Sequence, residues 1–236
     1  MINALDSIVK GANAKDLPTT EQISQGYRHN GPMAQGDDNP KLFAWQFLYT
    51  DYLIEAAKHW HNQVVVDLGC GTRLDGYHIA HLAGAKAYVA VDPYHMSKFY
   101  IRLTDDEKSK GDQELNERIQ KIRRFIQNRG YDEKVVGRII KNIDFHFNGK
   151  HLPIALVAED MVSALRRLPR DSVSIMTAGL DKQILSGDGY AELAQKEISR
   201  VLHPQGAYLA MCSRFAPKLL SDSSFEGNMF RKFTKV

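Results

Sequence analysis

The residues of this chain best placed to do chemistry are acids and glycines that fall where short apolar runs end. Asp67 closes the run Val64-Val65-Val66 and is followed by Gly69-Cys70-Gly71-Thr72-Arg73. Glycines at 69 and 71 allow backbone angles closed to other residues and let N–H groups approach a ligand with no Cβ in the way. Asp67 beside them is a poor neighbour for an anion and a good acceptor for an ammonium or a hydroxyl. A dinucleotide-binding turn would read Gly-x-Gly-x-x-Gly, with a pyrophosphate bare on the helix N-terminus. Here the third glycine position is Leu74. A second acid, Asp92, ends the run Ala87-Tyr88-Val89-Ala90-Val91. It lies about 20 positions past the turn, where a carboxylate can accept from both hydroxyls of a ribose. A third acidic stretch, Glu159-Asp160-Met161, follows Ile154-Ala155-Leu156-Val157-Ala158. Asp160 can cap a helix over Val162–Leu168, face a ligand, or do both, because ligands bind at the carboxyl ends of such strands.

Strands and helices must hold these residues in place. Five apolar runs, the three above with Ser172–Thr177 and Ala207–Cys212, alternate with helical patterns. That alternation predicts an α/β domain with a doubly wound, mostly parallel sheet. Tyr77, Ile79, Ala80, Leu82 and Ala83 mark the helix after the first turn, and Tyr190–Leu202 a later one. The stretch from about 97 to 150 is too long for an ordinary crossover. Within it Leu115, Ile119, Ile122 and Ile126 form one helical stripe. Val135, Val136, Ile139, Ile140 and Ile143 form another beyond Gly130. This predicts a helical insertion between strands 2 and 3, read as a cap over the site or a dimer surface. Its basic residues face solvent, RNA or an acidic substrate. Upstream, Leu42–Trp60 reads as a helix with aromatic core residues. The segment 1–40 is either a loose extension or a flap that orders over a ligand. The organisation expected is an N-terminal extension and helix over 1–63, with a lid as one reading, and an α/β domain over 64–236. After Cys212 only Asn228–Val236 reads as a strand, and the sequence leaves undecided whether the sheet is completed there.

A length of 236 residues suits one such domain with additions. The net charge of +3 permits contact with nucleic acid without arguing for it. Cys70 and Cys212 stand far apart in sequence and suggest reduced thiols in the cytoplasm. The opening Met1–Lys10 lacks a basic stretch leading into an apolar core, so no signal peptide is expected, and no apolar run approaches the ~20 residues of a membrane span. No Cys/His cluster has metal-ligand spacing, so no metal is expected.

The motif Asp67-Leu68-Gly69-Cys70-Gly71-Thr72, with acids ending the next two strands, resembles the class I S-adenosylmethionine-dependent methyltransferases. The stretch Glu197–Gly206 is similar to that family's late helix–turn–strand signature. The family's usual third glycine is Arg73 here, and Ser174 stands where members often carry a further acid. The resemblance implies bound S-adenosylmethionine with its methionine end against Asp67, Gly69, Cys70, Gly71, Thr72 and Arg73. Arg73, which departs from the family's pattern, either pairs with the methionine carboxylate or points to solvent. It implies Asp92 on the ribose, Pro93 and Tyr94 against the adenine, Asp160 accepting from the adenine amino group, and Met161 on the ring. Thr177, ending the fourth strand, joins this cofactor set. The activity implied is methyl transfer. No Asp/Asn-Pro-Pro-Tyr/Phe follows the fourth strand and no Pro-Cys pair is present, which leaves a small-molecule acceptor ahead of RNA or protein. Tyr27, His29, Tyr94, His95 and Asp181 are candidates for the acceptor pocket, and no residue stands out as a general base. The alternatives are a non-catalytic module of the same fold that binds the cofactor or a nucleoside, and a nicotinamide enzyme.

Overall fold

The computed structural model describes residues 48–70, 75–92, 105–157, 159–178, 189–211, 220–225 and 230–235. In chain order the elements are α1 (Thr50–His59), β1 (Val64–Leu68), α2 (Asp75–Ala83), β2 (Ala87–Val91), α3 (Asp105–Gln127), α4 (Glu133–Phe147) and β3 (Ile154–Val157). Then follow α5 (Met161–Arg166), β4 (Val173–Ala178), α6 (Tyr190–Val201), β5 (Tyr208–Met211), β6 (Ser221–Phe225) and β7 (Phe230–Thr234).

These strands form one sheet in the order β3-β2-β1-β4-β5-β7-β6. β1 pairs in parallel with β2 and β4, β2 with β3, and β4 with β5. β7 runs antiparallel to both β5 and β6. The strand order reverses at β1, which sits between β2 and β4, and the carboxyl ends beside that reversal are where a doubly wound sheet opens a crevice. The expected α/β, mostly parallel sheet is therefore present.

Both faces of the sheet are covered, which is why its inner strands read as nearly continuous apolar runs. Val65, Tyr88, Ala90 and Leu209 turn to one face and pack with α1, α2, α3 and α4. Val66, Val89, Ile175 and Ala210 turn to the other and pack with α5 and α6. On the first face α1 is pinned by its aromatics. Tyr52 donates its hydroxyl to the Leu209 carbonyl at 3.1 Å, and the Trp60 indole N–H reaches the Ala207 carbonyl at 3.2 Å. Burial, with Asp67 and Tyr208 nearby, pushes the Tyr52 phenol well up, so it stays a neutral donor.

The two helices expected from the insertion are α3 and α4, and their stripes are spent inside the chain: Ile119, Ile139 and Ile143 are fully buried. The pair packs on α1 and α2. Polar contacts fix it further: Arg118 donates to the Leu48 carbonyl, Asn142 to that of Leu82, and the Tyr77 hydroxyl bonds both backbone groups of Leu152. At its start α4 is capped by Asp132, whose carboxylate accepts from the N–H groups of Lys134 and Val135.

The far edge of the sheet decides what the sequence left undecided. Two strands follow β5, where the sequence suggested one. β6 is Ser-Asp-Ser-Ser-Phe, a polar edge strand without the apolar alternation that identifies a strand in sequence. In β7 Phe230 and Phe233 are both fully buried, one in the core of each face. The helix expected over Leu42–Trp60 is described from Thr50, and residues 1–40 lie outside the described residues.

Where α2 meets α4, His78 and His81 approach His146, with ring centroids 6.1 and 5.9 Å away. Burial first, then His146 and His81, lower the His78 imidazole from 6.5 to about 3; burial, His146 and His151 lower His81 to about 4. Both are neutral in the folded protein, while the unfolded chain takes up protons near the ordinary value. Stability is therefore full above pH 6.5, falls as pH drops below it, and levels off only near the folded-state values. Urea unfolding at about pH 7 and about pH 5 should show this loss, and His78→Gln should reduce it; an equal loss in the variant would remove His78 from the account.

Candidate functional site

Three strand tips bring the expected acids to one edge. β3, β2 and β1 lie side by side, with neighbouring strands about 4.8 Å apart. Leu68 is level with Val91, and Val91 with Val157. Immediately beyond β1 the chain turns through Gly69 at φ +70°, a left-handed angle that favours glycine. The N–H groups of Gly69 and Cys70 then bond the Val91 carbonyl at 2.8 and 3.3 Å. The first turn is thereby stitched to the end of β2, and Asp92 in turn donates its N–H to the Val157 carbonyl at 3.1 Å. These backbone bonds set Gly69, Cys70, Asp92, Glu159 and Asp160 along one rim.

Asp67 sits deeper than the rim, at 2% exposure. Its carboxylate accepts the Tyr88 hydroxyl across the β1–β2 pair. Above it lies the first turn of α2, so close that a Cβ on Gly76 would stand 2.5 Å from an Asp67 oxygen and nearer still to the Met176 sulfur. A glycine at 76 is what lets the helix start over this carboxylate. The partial positive charge of a helix N-terminus favours an acid there. Tyr88 was missed in the sequence, although a tyrosine within an apolar run beside an acid-bearing strand is the available signal, since a buried phenol needs a partner.

At the third tip the two acids divide their work. Asp160 caps α5, accepting from the N–H groups of Val162 and Ser163 at 3.0 and 3.1 Å, and its Oδ1 also accepts the Tyr190 hydroxyl at 3.1 Å. The capping role read from the sequence is present. Glu159, 5% exposed, is ion-paired with Arg167 at the far end of α5. Met161 is buried at the start of α5. Tyr190 was not legible in advance, because it meets Asp160 only once α5 and α6 dock; Glu159 and Arg167 flank α5 itself and pair across that short helix. Thr177 ends near the same edge on β4 but turns to the α5–α6 face, fully buried, with its hydroxyl 3.0 Å from that of Tyr208. Its side chain is committed to the core.

Gly71, Thr72, Arg73 and Pro93 lie outside the described residues, as do the acceptor-pocket candidates Tyr27, His29, Tyr94, His95 and Asp181. Among the described residues no group of histidines, cysteines and acids could hold a metal ion, and no helix is long and apolar enough to cross a membrane.

A parallel sheet whose strand order reverses at β1 and whose far edge carries an antiparallel β7 between β5 and β6 defines the class I methyltransferase fold. No protein-family model and no curated protein matches the sequence. Among solved structures, one described as a type II methyltransferase from Anaeromyxobacter dehalogenans is 13% identical with a TM-score of 0.34. That likeness covers 68% of this chain and 44% of the other, so this chain spans less than half of that protein's length. An rRNA methylase from Streptococcus thermophilus is 11% identical over 79% of this chain and 93% of that one, with a TM-score of 0.40. A protein from Streptococcus mutans described as a methyltransferase, solved in complex with SAH, is 9% identical over 79% and 96%, with a TM-score of 0.41.

The Tyr88 contact can be tested directly. Tyr88→Phe removes the hydroxyl donated to a buried carboxylate and should cost about 1–3 kcal/mol in urea unfolding. A variant as stable as the parent would show that the contact does not hold the carboxylate.

Proposed function

We propose that the protein is an S-adenosylmethionine-dependent methyltransferase. The observation that carries the reading is the rim itself: a left-handed glycine turn, bonded to the end of β2, opening beside Asp92 at the point where strand order reverses. The donor set fits the cofactor. Asp92 offers acceptors only, which suits two ribose hydroxyls. The turn's sequence lacks the third glycine of the dinucleotide pattern, Leu74 standing in its place, and Asp67 precedes it at the end of β1, which suits a cationic amino-acid end. Gly71, Thr72 and Arg73 continue that turn in the sequence, with Arg73 available to the methionine carboxylate, and Pro93 follows Asp92 to pack on the adenine. Asp160 and Met161 take the adenine edge and face.

Bound S-adenosylmethionine supplies a methyl group on a sulfonium, so the leaving group comes with the donor. What the chain's own residues contribute is alignment: the rim fixes the donor so that an acceptor atom can approach the methyl in line. The sequence leaves a small-molecule acceptor by elimination of base-modifying motifs. A second reading, an acceptor within RNA, is favoured by the lysines and arginines clustered between residues 118 and 150, although the first half of α3 is acidic.

Calorimetric titration with S-adenosylmethionine, S-adenosylhomocysteine and NAD tests the proposal. Micromolar binding of the first two, lost in Asp92→Ala, is the expected result. Binding of NAD alone would overturn it in favour of a nicotinamide enzyme, and binding of none would leave a fold kept for its surface.

A further inference from the structure

Charge in this protein is not spread evenly. Between residues 118 and 150 the sequence carries nine lysines and arginines against three acids, Asp132, Glu133 and Asp144. That surplus of six compares with +3 for the whole chain, so the remainder is net acidic. Two of the three acids are occupied: Asp132 caps α4, and Asp144 pairs with Arg123 at 2.9 Å across the two helices. The buried stripes of α3 and α4 face α1 and α2, which turns the opposite stripes to solvent. On α3 that outward face holds Lys121, Arg124 and Phe125, spaced as neighbours on one side of a helix; on α4 it holds Lys134 and Lys141. Phe125 is 38% exposed, with the Arg129 guanidinium 4.3 Å above its ring.

The connection between the two helices stands at the strand-tip end of the sheet. α1 leads through Trp60–Gln63 into the start of β1, so its first turn lies at the opposite end, level with the tips. Tyr131, in the connection, donates its hydroxyl to Asp51 in that first turn. Arg129 and Lys134 flank Tyr131, so the basic face begins at the same end of the molecule as the rim. A groove of about 720 Å³ along α3 has Lys121 and Arg124 at the end toward this face and Asp112 and Glu117 further back along the helix.

We propose that the outward face of the α3–α4 pair, from Lys121 and Arg124 through Phe125 and Arg129 to Lys134, is a docking surface for RNA with unpaired bases. The cations neutralise phosphates, and an exposed ring beside an arginine offers a base a stacking platform. Unpaired bases are what proteins read in RNA, whereas a duplex keeps its faces stacked inside. The docking itself is independent of methyl transfer. That the docked strand presents an acceptor nucleotide to the rim rests on the function proposed above.

The test is fluorescence anisotropy of a labelled single-stranded RNA oligonucleotide with the full chain, at about 50 and about 200 mM salt. The expected result is binding that weakens steeply with salt and falls about tenfold or more in the double variant Lys121→Glu, Arg124→Glu, with a shallower salt dependence. Phe125→Ala should weaken binding at both salt concentrations and leave the salt dependence unchanged. Circular dichroism checks that each variant is folded. Absence of binding, binding unchanged by the charge reversals, or equally tight binding of duplex DNA of the same length would overturn the proposal. Calorimetry with S-adenosylmethionine on the same samples separates the two readings. RNA binding without cofactor binding would support the docking surface and overturn methyl transfer alone.

Discussion

A carboxylate buried between a sheet and a helix constrains much of this structure. Asp67 is almost completely shielded from water, and an acid in that position is costly unless hydrogen-bonded. Tyr88 provides the bond, and it can do so only because β2 lies beside β1 in the observed register. Gly76 lets α2 begin directly over the acid, and Met176 fills the space alongside. The position of α2 then fixes Tyr77, His78 and His81, which meet the inserted helices and the chain leading into β3. One buried charge therefore ties the glycine turn, the second strand and the insertion together.

The same economy appears at the rim. Backbone bonds from Gly69 and Cys70 to Val91, and from Asp92 to Val157, hold three strand tips without using any side chain of the candidate site. Side chains there are left to position and recognise. Asp160 shows the limit of that freedom, since its Oδ1 caps a helix and accepts from Tyr190. Thr177 shows the opposite outcome: near a strand tip by register, it is turned inward and consumed by a core hydrogen bond.

Among the described residues, the insertion gives one face of the sheet a four-helix cover where the other has two. Its apolar stripe supplies cohesion and its outer stripe supplies charge, so a single sequence segment serves packing and surface chemistry on opposite sides of the same helices. The polar contacts Arg118–Leu48 and Tyr131–Asp51 anchor it to the start of α1 rather than leave it as a separate unit.

The sequence by itself determined the parallel core of the sheet, because strands buried on both faces must be apolar throughout and their ends are marked by Asp67, Asp92 and Asp160. It also determined the two inserted helices, whose stripes at Leu115–Ile126 and Val135–Ile143 match the helical period and are buried, Val136 and Ile140 only in part. The tertiary structure alone decided what those acids touch. Tyr88 reaches Asp67 through strand register and Tyr190 reaches Asp160 through helix docking, which no local pattern encodes. It alone decided the polar strand β6, whose residues carry no strand signal and are held by pairing with β7. Periodicity records which side of an element is buried; the partner met on that side is set by how elements far apart in the chain pack together.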